Sequence, residues 1–176
     1  VVVPCYQETK FLEFVPRESG GGFMGELDPS NPEIQKTDRK GSREVLPNGN
    51  ELVKSDQHYC LVVGQDGMIQ PAIVDMKSSQ LKVSKRWKTQ IAMQKIRHPK
   101  TDALLTPAVY ATMWKLTTVE ESNDQGTWYN WSVVKEGLVQ TKEVLEQAKL
   151  FRQQVIKGAV KAVDDTEPLE KDDVPF

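Results

Sequence analysis

The sequence has little cysteine and no long apolar run, and these shortages exclude several classes of protein. Its two cysteines, Cys5 and Cys60, each lie inside a short apolar run. In a chain of this size without a recognisable secretory leader, two reduced and buried thiols are expected rather than a disulfide. No stretch approaches the roughly 20 apolar residues that a membrane helix needs. The sequence therefore predicts a cytoplasmic protein that has no membrane partner.

Patterns that bind metals or nucleotides are also missing. The chain has two histidines and two cysteines, and they lack the C-x-x-C or H-x-x-x-H spacing that is typical of zinc ligands. The glycine-rich stretch from Arg17 to Gly25 lacks the Gly-Lys-Ser/Thr ending of a phosphate-binding loop. We therefore expect neither a metal nor a cofactor.

Charge is distributed unevenly along the chain. Residues 164–176 hold six acidic side chains and one basic side chain. Because the whole chain has a net charge of −2, removing this segment of charge −5 leaves +3 on residues 1–163. Residues 77–100 contain eight basic side chains and no acidic one. A basic surface of this kind predicts a polyanionic partner.

Strand and helix patterns alternate in an order that predicts a mainly β domain with two helices. The predicted elements are β-rich runs at residues 1–6 and 11–15, a hairpin around Asn48-Gly49, strands at 57–63 and 68–76, a helix at 79–96 that begins at Ser78 or Ser79, strands at 109–120 and 127–134, and a helix at 141–157. Three strands, a helix and two more strands follow the order of the OB-fold, a small Greek-key barrel that holds oligonucleotides.

We therefore predict an OB-fold-like five-stranded barrel with one helix between strands 3 and 4 and a second helix at the C-terminal end. The domain spans residues 1–163 and includes a polar surface excursion at 28–43. Residues 164–176 are predicted to form a disordered acidic tail. A split sheet without barrel closure would produce the same pattern.

The last five residues, Asp172, Asp173, Val174, Pro175 and Phe176, resemble the terminal peptide of bacterial single-stranded-DNA-binding proteins. A terminal Phe supplies an apolar anchor and an α-carboxylate, and the acids before it suit a pocket with a basic rim. The rest of the chain is more similar to phage-encoded proteins that share the barrel and the acidic tail. The resemblance implies binding and protection of single-stranded DNA, and recruitment of replication, recombination and repair proteins through these five residues.

A protein that binds single strands without sequence preference needs cations that follow the phosphates and aromatic faces on which bases stack. We predict a binding site composed of Lys77, Lys82, Lys85, Arg86, Lys88, Tyr110, Trp114, Lys115, Trp128 and Asn130. Alternation along the last strand places Trp128 beside Asn130 and opposite the inward-facing Trp131, which makes Trp128 the best stacking candidate. Trp87 lies on the apolar face of the first helix and is expected in the core.

Two other functions remain open from the sequence. Asp75-Met76-Lys77 ends an apolar strand and resembles half of the PD-(D/E)xK nuclease pattern, in which carboxylates hold a divalent metal. That pattern needs another acid upstream, and neither Asp56 nor Asp66 is well placed for it. The second alternative is an interaction adaptor that binds proteins and no nucleic acid. The sequence also leaves the oligomeric state open, including a homo-oligomer.

Overall fold

The computed structural model describes residues 1–98, 100–124 and 126–161, and the predicted acidic tail with its tip lies outside them. The strands are β1 (Val2–Val15), β2 (Gly22–Leu27), β3 (Asp38–Lys40), β4 (Arg43–Val45), β5 (Glu51–Val63), β6 (Ile69–Lys77), β7 (Ile96–Arg97), β8 (Leu104–Leu105), β9 (Thr112–Asn123) and β10 (Gly126–Leu138). The helices are α1 (Leu81–Ala92) and α2 (Lys142–Ile156). The prediction of a mainly β architecture with two helices is confirmed. In the described segments, neither helix has the length and apolar character needed to span a membrane.

One antiparallel sheet contains eight of the ten described strands. Its path runs β10-β9-β1-β5-β4-β3, while β2 pairs with β1 and β6 pairs with β5. β1 and β5 form a long ladder from Val2 opposite Val62 to Phe14 opposite Glu51. The β9–β10 hairpin joins this ladder where Val2 lies opposite Trp114. β1 therefore lies at the centre of the sheet, because it pairs with β2, β5 and β9.

The predicted barrel does not close among the described strands. Closure of the series β10-β9-β1-β5-β6 would require β6 to pair with β10, and the described part of the chain shows no such pairing. α1 packs against both strands, with Val83 and Trp87 buried. α1 covers the sheet beside these two strands instead, and no ladder joins them in the described part of the chain. The sheet is therefore open at this position.

The sheet buries a separate apolar core on each face. The core under α2 contains Val3, Cys5, Tyr59, Leu61, Val144, Ala148, Phe151 and Val155. The core under α1 contains Val2, Cys60, Met76, Val83, Trp87, Trp114 and Val133. Successive side chains along a strand point to opposite faces, so the neighbours Tyr59 and Cys60 belong to different cores. The two helices consequently cover opposite faces of the sheet.

β1 supplies side chains to both cores. Its register with β5 shifts between Pro4 and Tyr6, and such a bulge changes the direction of a strand locally. Val2 packs under α1, whereas Val3 and Cys5 pack under α2. Because Cys5 and Cys60 lie in different cores, they are buried and unbridged, as predicted.

Three local predictions about the first half of the chain need correction. The two β-rich runs at residues 1–6 and 11–15 are one continuous strand, β1. The glycine-rich stretch leads directly into β2, which the sequence did not predict and which pairs with the end of β1. The excursion at 28–43 is largely exposed but contains β3 and a short 3-10 helix.

The first helix is also shorter than predicted. α1 covers Leu81–Ala92, and residues 96–97 form β7 instead of a last helical turn. Neither predicted serine caps it, because the N-cap residue is Gln80 and makes no side-chain cap bond. Ser78 has a φ of 51°, a left-handed conformation that lets the chain turn from β6 into the helix.

Candidate nucleic-acid interface

A groove of about 520 Å³ runs between α1 and the β9–β10 hairpin. We call it the hairpin groove. Its lining residues are Ser79, Lys82, Val83, Arg86, Val119, Glu121, Trp128, Asn130, Trp131 and Ser132. The structure therefore brings together four of the residues predicted to bind DNA, namely Lys82, Arg86, Trp128 and Asn130.

The hairpin wall of the groove is held by hydrogen bonds to one carboxylate. Trp128 lies opposite Glu121 in the β9–β10 register, and its indole Nε1 donates to Glu121 Oε2 at 3.1 Å. Asn130 Nδ2 donates to the same oxygen at 3.0 Å. Trp128 is half-buried, so its ring is fixed in position and still partly accessible. Asn130 is only 5% exposed, and its role is to support this arrangement.

The helical wall of the groove is cationic. Lys82 and Arg86 are exposed and lie one helical turn apart. Within the described residues, neither side chain forms an ion pair with an acid. With Glu121 as the acid on the opposite wall, the lining of the groove has a net charge of +1. An anionic ligand can therefore contact these cations without displacing an acid of the described residues.

A second concave surface adjoins the groove on the other side of Lys82, and we call it the lysine depression. It is lined by Lys54, Asp56, Leu81, Lys82, Lys85 and Lys88 and encloses about 270 Å³. Four lysines and one aspartate give this lining a net charge of +3. Lys85 is exposed, whereas Lys88 Nζ contacts Asp56 Oδ2 at 2.7 Å.

Asp56 anchors α1 to the sheet. This carboxylate is 3% exposed and accepts hydrogen bonds from Thr9 Oγ1 at 2.6 Å, Ser84 Oγ at 2.6 Å and Lys88 Nζ at 2.7 Å. Burial alone would raise the pKa of Asp56, but the bonds from Lys88, Ser84 and Thr9 outweigh it and lower the pKa. Asp56 is thus a buried anion that fixes the helix carrying Lys82 and Arg86.

His58 completes this polar network from the neighbouring position on the same face of β5. Its Nε2 lies 2.8 Å from Ser84 Oγ, and its ring stacks on Trp87 at a centroid distance of 4.6 Å. Ser84 uses its hydroxyl proton to donate a hydrogen bond to Asp56. Its oxygen therefore accepts a hydrogen bond from His58, and Nε2 is the ring nitrogen that carries the proton. Burial lowers the pKa of His58 to about 4. The imidazole is therefore neutral at physiological pH.

A family model described as Pam3 phage gp34-like protein matches residues 1–161. The chain belongs to the Pam3 phage gp34-like family. Neither the search of curated proteins nor that of solved structures gave a match. The phage association expected from the sequence is thus supported at the level of the family. The match includes the sheet, both helices and the hairpin groove, and it ends before the acidic tail.

Two aromatic predictions are corrected in this gp34-like domain. Trp114 is 1% exposed, because it lies where β9 meets β1, and its ring contacts Trp87 edge-on at 6.1 Å. A buried ring of this kind is not available for stacking on a base. Tyr110 packs against the core under α2, on the face of the sheet opposite α1, so it does not join the groove.

Three cationic predictions also need adjustment. Lys77 contacts Asp75 at 2.8 Å and Lys88 contacts Asp56, so both ammonium groups already have a carboxylate partner. Lys115 is exposed on β9 but lines neither the hairpin groove nor the lysine depression. Conversely, the sequence did not predict Lys54, because it lies on a strand far from the basic run at 77–100.

The nuclease alternative depends on what surrounds Asp75. Asp75 accepts a hydrogen bond from Ser55 and pairs with Lys77. Asp56 lies opposite Met76 in the β5–β6 register and therefore points to the other face of the sheet. In residues 1–98, 100–124 and 126–161, no three His, Cys, Asp or Glu side chains cluster as metal ligands would.

Proposed function

We propose that this phage-family protein binds single-stranded DNA without sequence preference and that the hairpin groove is its primary contact. The observation that supports this most strongly is the pairing of Lys82 and Arg86, two cations without an acid partner among the described residues, with the partly accessible ring of Trp128 across one groove. Phosphates would lie on the cationic wall and a base against the indole. Base stacking of this kind contributes about 1–3 kcal/mol per base.

The function that we propose has a second part, recruitment of replication, recombination and repair proteins through Asp172, Asp173, Val174, Pro175 and Phe176. These residues lie outside the described structure, so this part rests on the sequence alone. Their order combines negative charge with a terminal apolar ring. A basic-rimmed apolar pocket on a partner would recognise that combination.

The primary test is a titration of the full chain with oligo-dT, followed by tryptophan fluorescence at several salt concentrations. We expect quenching in the native protein, because stacked bases change the surroundings of Trp128. Trp128→Ala should weaken binding by about 1–3 kcal/mol. Arg86→Gln should reduce the slope of log affinity against log salt by about 0.7, because one phosphate contact to a single strand is lost.

Matched control variants separate binding from folding. Tyr129→Ala removes a neighbouring aromatic side chain that is 62% exposed and does not line the groove, and it should leave affinity unchanged. Lys149→Gln removes an exposed cation of α2, and it should leave the salt dependence unchanged. If native protein fails to bind oligo-dT, or if the groove variants behave like these controls, the proposed interface is wrong.

A further inference from the structure

Two further concave surfaces follow the hairpin groove in series. Lys82 lines both the hairpin groove and the lysine depression. Lys54 and Leu81 line both the lysine depression and a third depression of about 520 Å³ that contains the ring of Phe11. Since each neighbouring pair shares at least one lining residue, the three depressions adjoin one another in series, and we call this series the trough. It passes the first turn of α1 and connects the β9–β10 hairpin with β1.

Cations without acid partners occupy the middle of this trough. Among the described residues, Lys82, Lys85 and Lys54 form no ion pair, and all three are exposed. The acid of the lysine depression, Asp56, is already neutralised by Lys88 at 2.7 Å. The unpartnered positive charge therefore extends past the hairpin groove as far as Lys54.

An aromatic ring lies at each end of this cationic stretch. Trp128 is at the hairpin end, and the half-buried Phe11 is at the β1 end, with Lys54 Nζ 6.0 Å from the ring centroid. Beyond Phe11 the charges alternate, because Arg43 is paired with Glu51 at 2.6 Å. The order of ring, cations and ring suits a polymer that has both bases and phosphates, and it suits a purely acidic peptide less well.

We infer that a bound single strand continues from the hairpin groove along the trough, with its phosphates at Lys82, Lys85 and Lys54 and a base at Phe11. This inference rests on the proposed function and adds a second contact region to it. The Lys54 ammonium group would move from the Phe11 ring to contact a phosphate. That movement would make the ring accessible to a base. Binding should therefore strengthen when the oligonucleotide is long enough to reach β1.

The test compares oligo-dT of two lengths, about 4 and about 16 nucleotides, which are the limits typical of one oligonucleotide-binding domain. Lys54→Gln in the full chain should bind the longer strand about fivefold more weakly in 0.1 M salt, given a salt slope of roughly 0.7 per phosphate. Its affinity for the shorter strand should equal that of the native protein. Phe11→Leu should show the same length dependence, because it keeps an apolar side chain and removes the flat ring.

Lys149→Gln is the matched control, since it removes one exposed cation on the opposite face of the sheet. If Lys54→Gln binds the longer strand normally while Arg86→Gln does not, the hairpin groove binds DNA and the extended path is wrong. If Lys54→Gln weakens both lengths equally, Lys54 belongs to the primary contact and the path is also wrong. If native protein binds neither length, the proposed function fails together with this inference.

Discussion

Ser84 connects Asp56 and His58, two titratable groups that are buried beneath α1. It donates to Asp56 at 2.6 Å and lies 2.8 Å from His58 Nε2. A charged imidazolium at His58 would have to lose its hydration among Trp87 and the surrounding core. The network therefore holds a neutral histidine beside an anionic aspartate, and the stability of the folded chain should depend on pH as a result.

We predict that the free energy of unfolding falls as the pH drops from about 6.5 to about 4. The pKa of His58 is lowered to about 4 in the folded chain, whereas an unfolded histidine titrates near 6.5. Between these values the unfolded chain binds the extra proton, and the loss can reach roughly 3 kcal/mol. The stabilisation from Asp56, whose pKa is lowered, is lost only below its ordinary value near 3.9.

Denaturant titrations from pH 7 to pH 4 measure this loss, with His58→Gln as the control. That variant keeps an N–H donor and cannot titrate, so its stability should depend less on pH within the window. Equal pH dependence in the two proteins would contradict a buried neutral imidazole.

Residue type alone could not distinguish accessible from buried aromatics in this chain. Trp114 and Trp128 both lie on β-rich runs, and both were predicted to contact DNA. Trp114 is buried because β1 pairs beside it at Val2, whereas Trp128 lies farther along the hairpin, near its turn. That difference depends on which strand becomes the neighbour of β9, and local sequence does not encode it. The burial of Trp87 was predictable, because its helical spacing with Val83 and Ile91 is local.

At the scale of elements, α1 both covers one face of the sheet and supplies the helical wall of the groove. Its buried side chains, Val83, Ser84 and Trp87, pack across that face from β6 to β10. Its exposed side chains on the adjacent faces are the cations of the trough. The packing of α1 should therefore be a major source of stability.

We predict that Trp87→Ala lowers the free energy of unfolding by about 3–5 kcal/mol, because it leaves a cavity against His58 and Trp114. Trp87 is fully buried at 0% exposure. Met93→Ala is the control, since Met93 follows the same helix and is 73% exposed, and its effect should stay within about 0.5 kcal/mol. Chemical denaturation followed by circular dichroism measures both. Similar midpoints for the two variants would show that α1 contributes little to the fold.

The order of the long elements was predictable, and the length of β1 was not. Its centre, Gln7-Glu8-Thr9-Lys10, is polar and has no apolar alternation, so the sequence pattern breaks there. Pairing with β5 continues through this segment from Gln7 opposite His58 to Lys10 opposite Ser55. The strand is maintained by its partner across the ladder, and tertiary context of this kind overrides local propensity. β2, which the sequence did not predict, is likewise maintained by its pairing with β1, in which its glycines take part.

At the scale of the whole molecule, charge separates the body from the tail. Residues 164–176 carry −5 and residues 1–163 carry +3. A tethered polyanion can compete with DNA for a basic trough, and that competition weakens as salt screens it. The tail would then moderate binding as well as recruit partners.

We predict that deleting residues 164–176 tightens oligo-dT binding at low salt and has little effect at about 1 M salt, where the Debye length is about 3 Å. A full-length chain with the six tail acids replaced by Asn or Gln should behave like the deletion, which separates charge from chain length. Salt titrations of the three proteins measure the effect. Unchanged low-salt affinity in the deletion would mean that the tail does not compete with DNA.

The bulge near Pro4 makes the two faces of the sheet depend on one another. Removing Pro4 would turn Val2 toward α2 and Val3 toward α1, and each hydrophobic interior would receive the wrong side chain. β1 and β5 supply side chains to both cores. Detaching either helix therefore exposes one face of strands whose other face the second helix covers. Heating should accordingly melt both halves in one step, and amide hydrogens under α1 and α2 should exchange at similar rates.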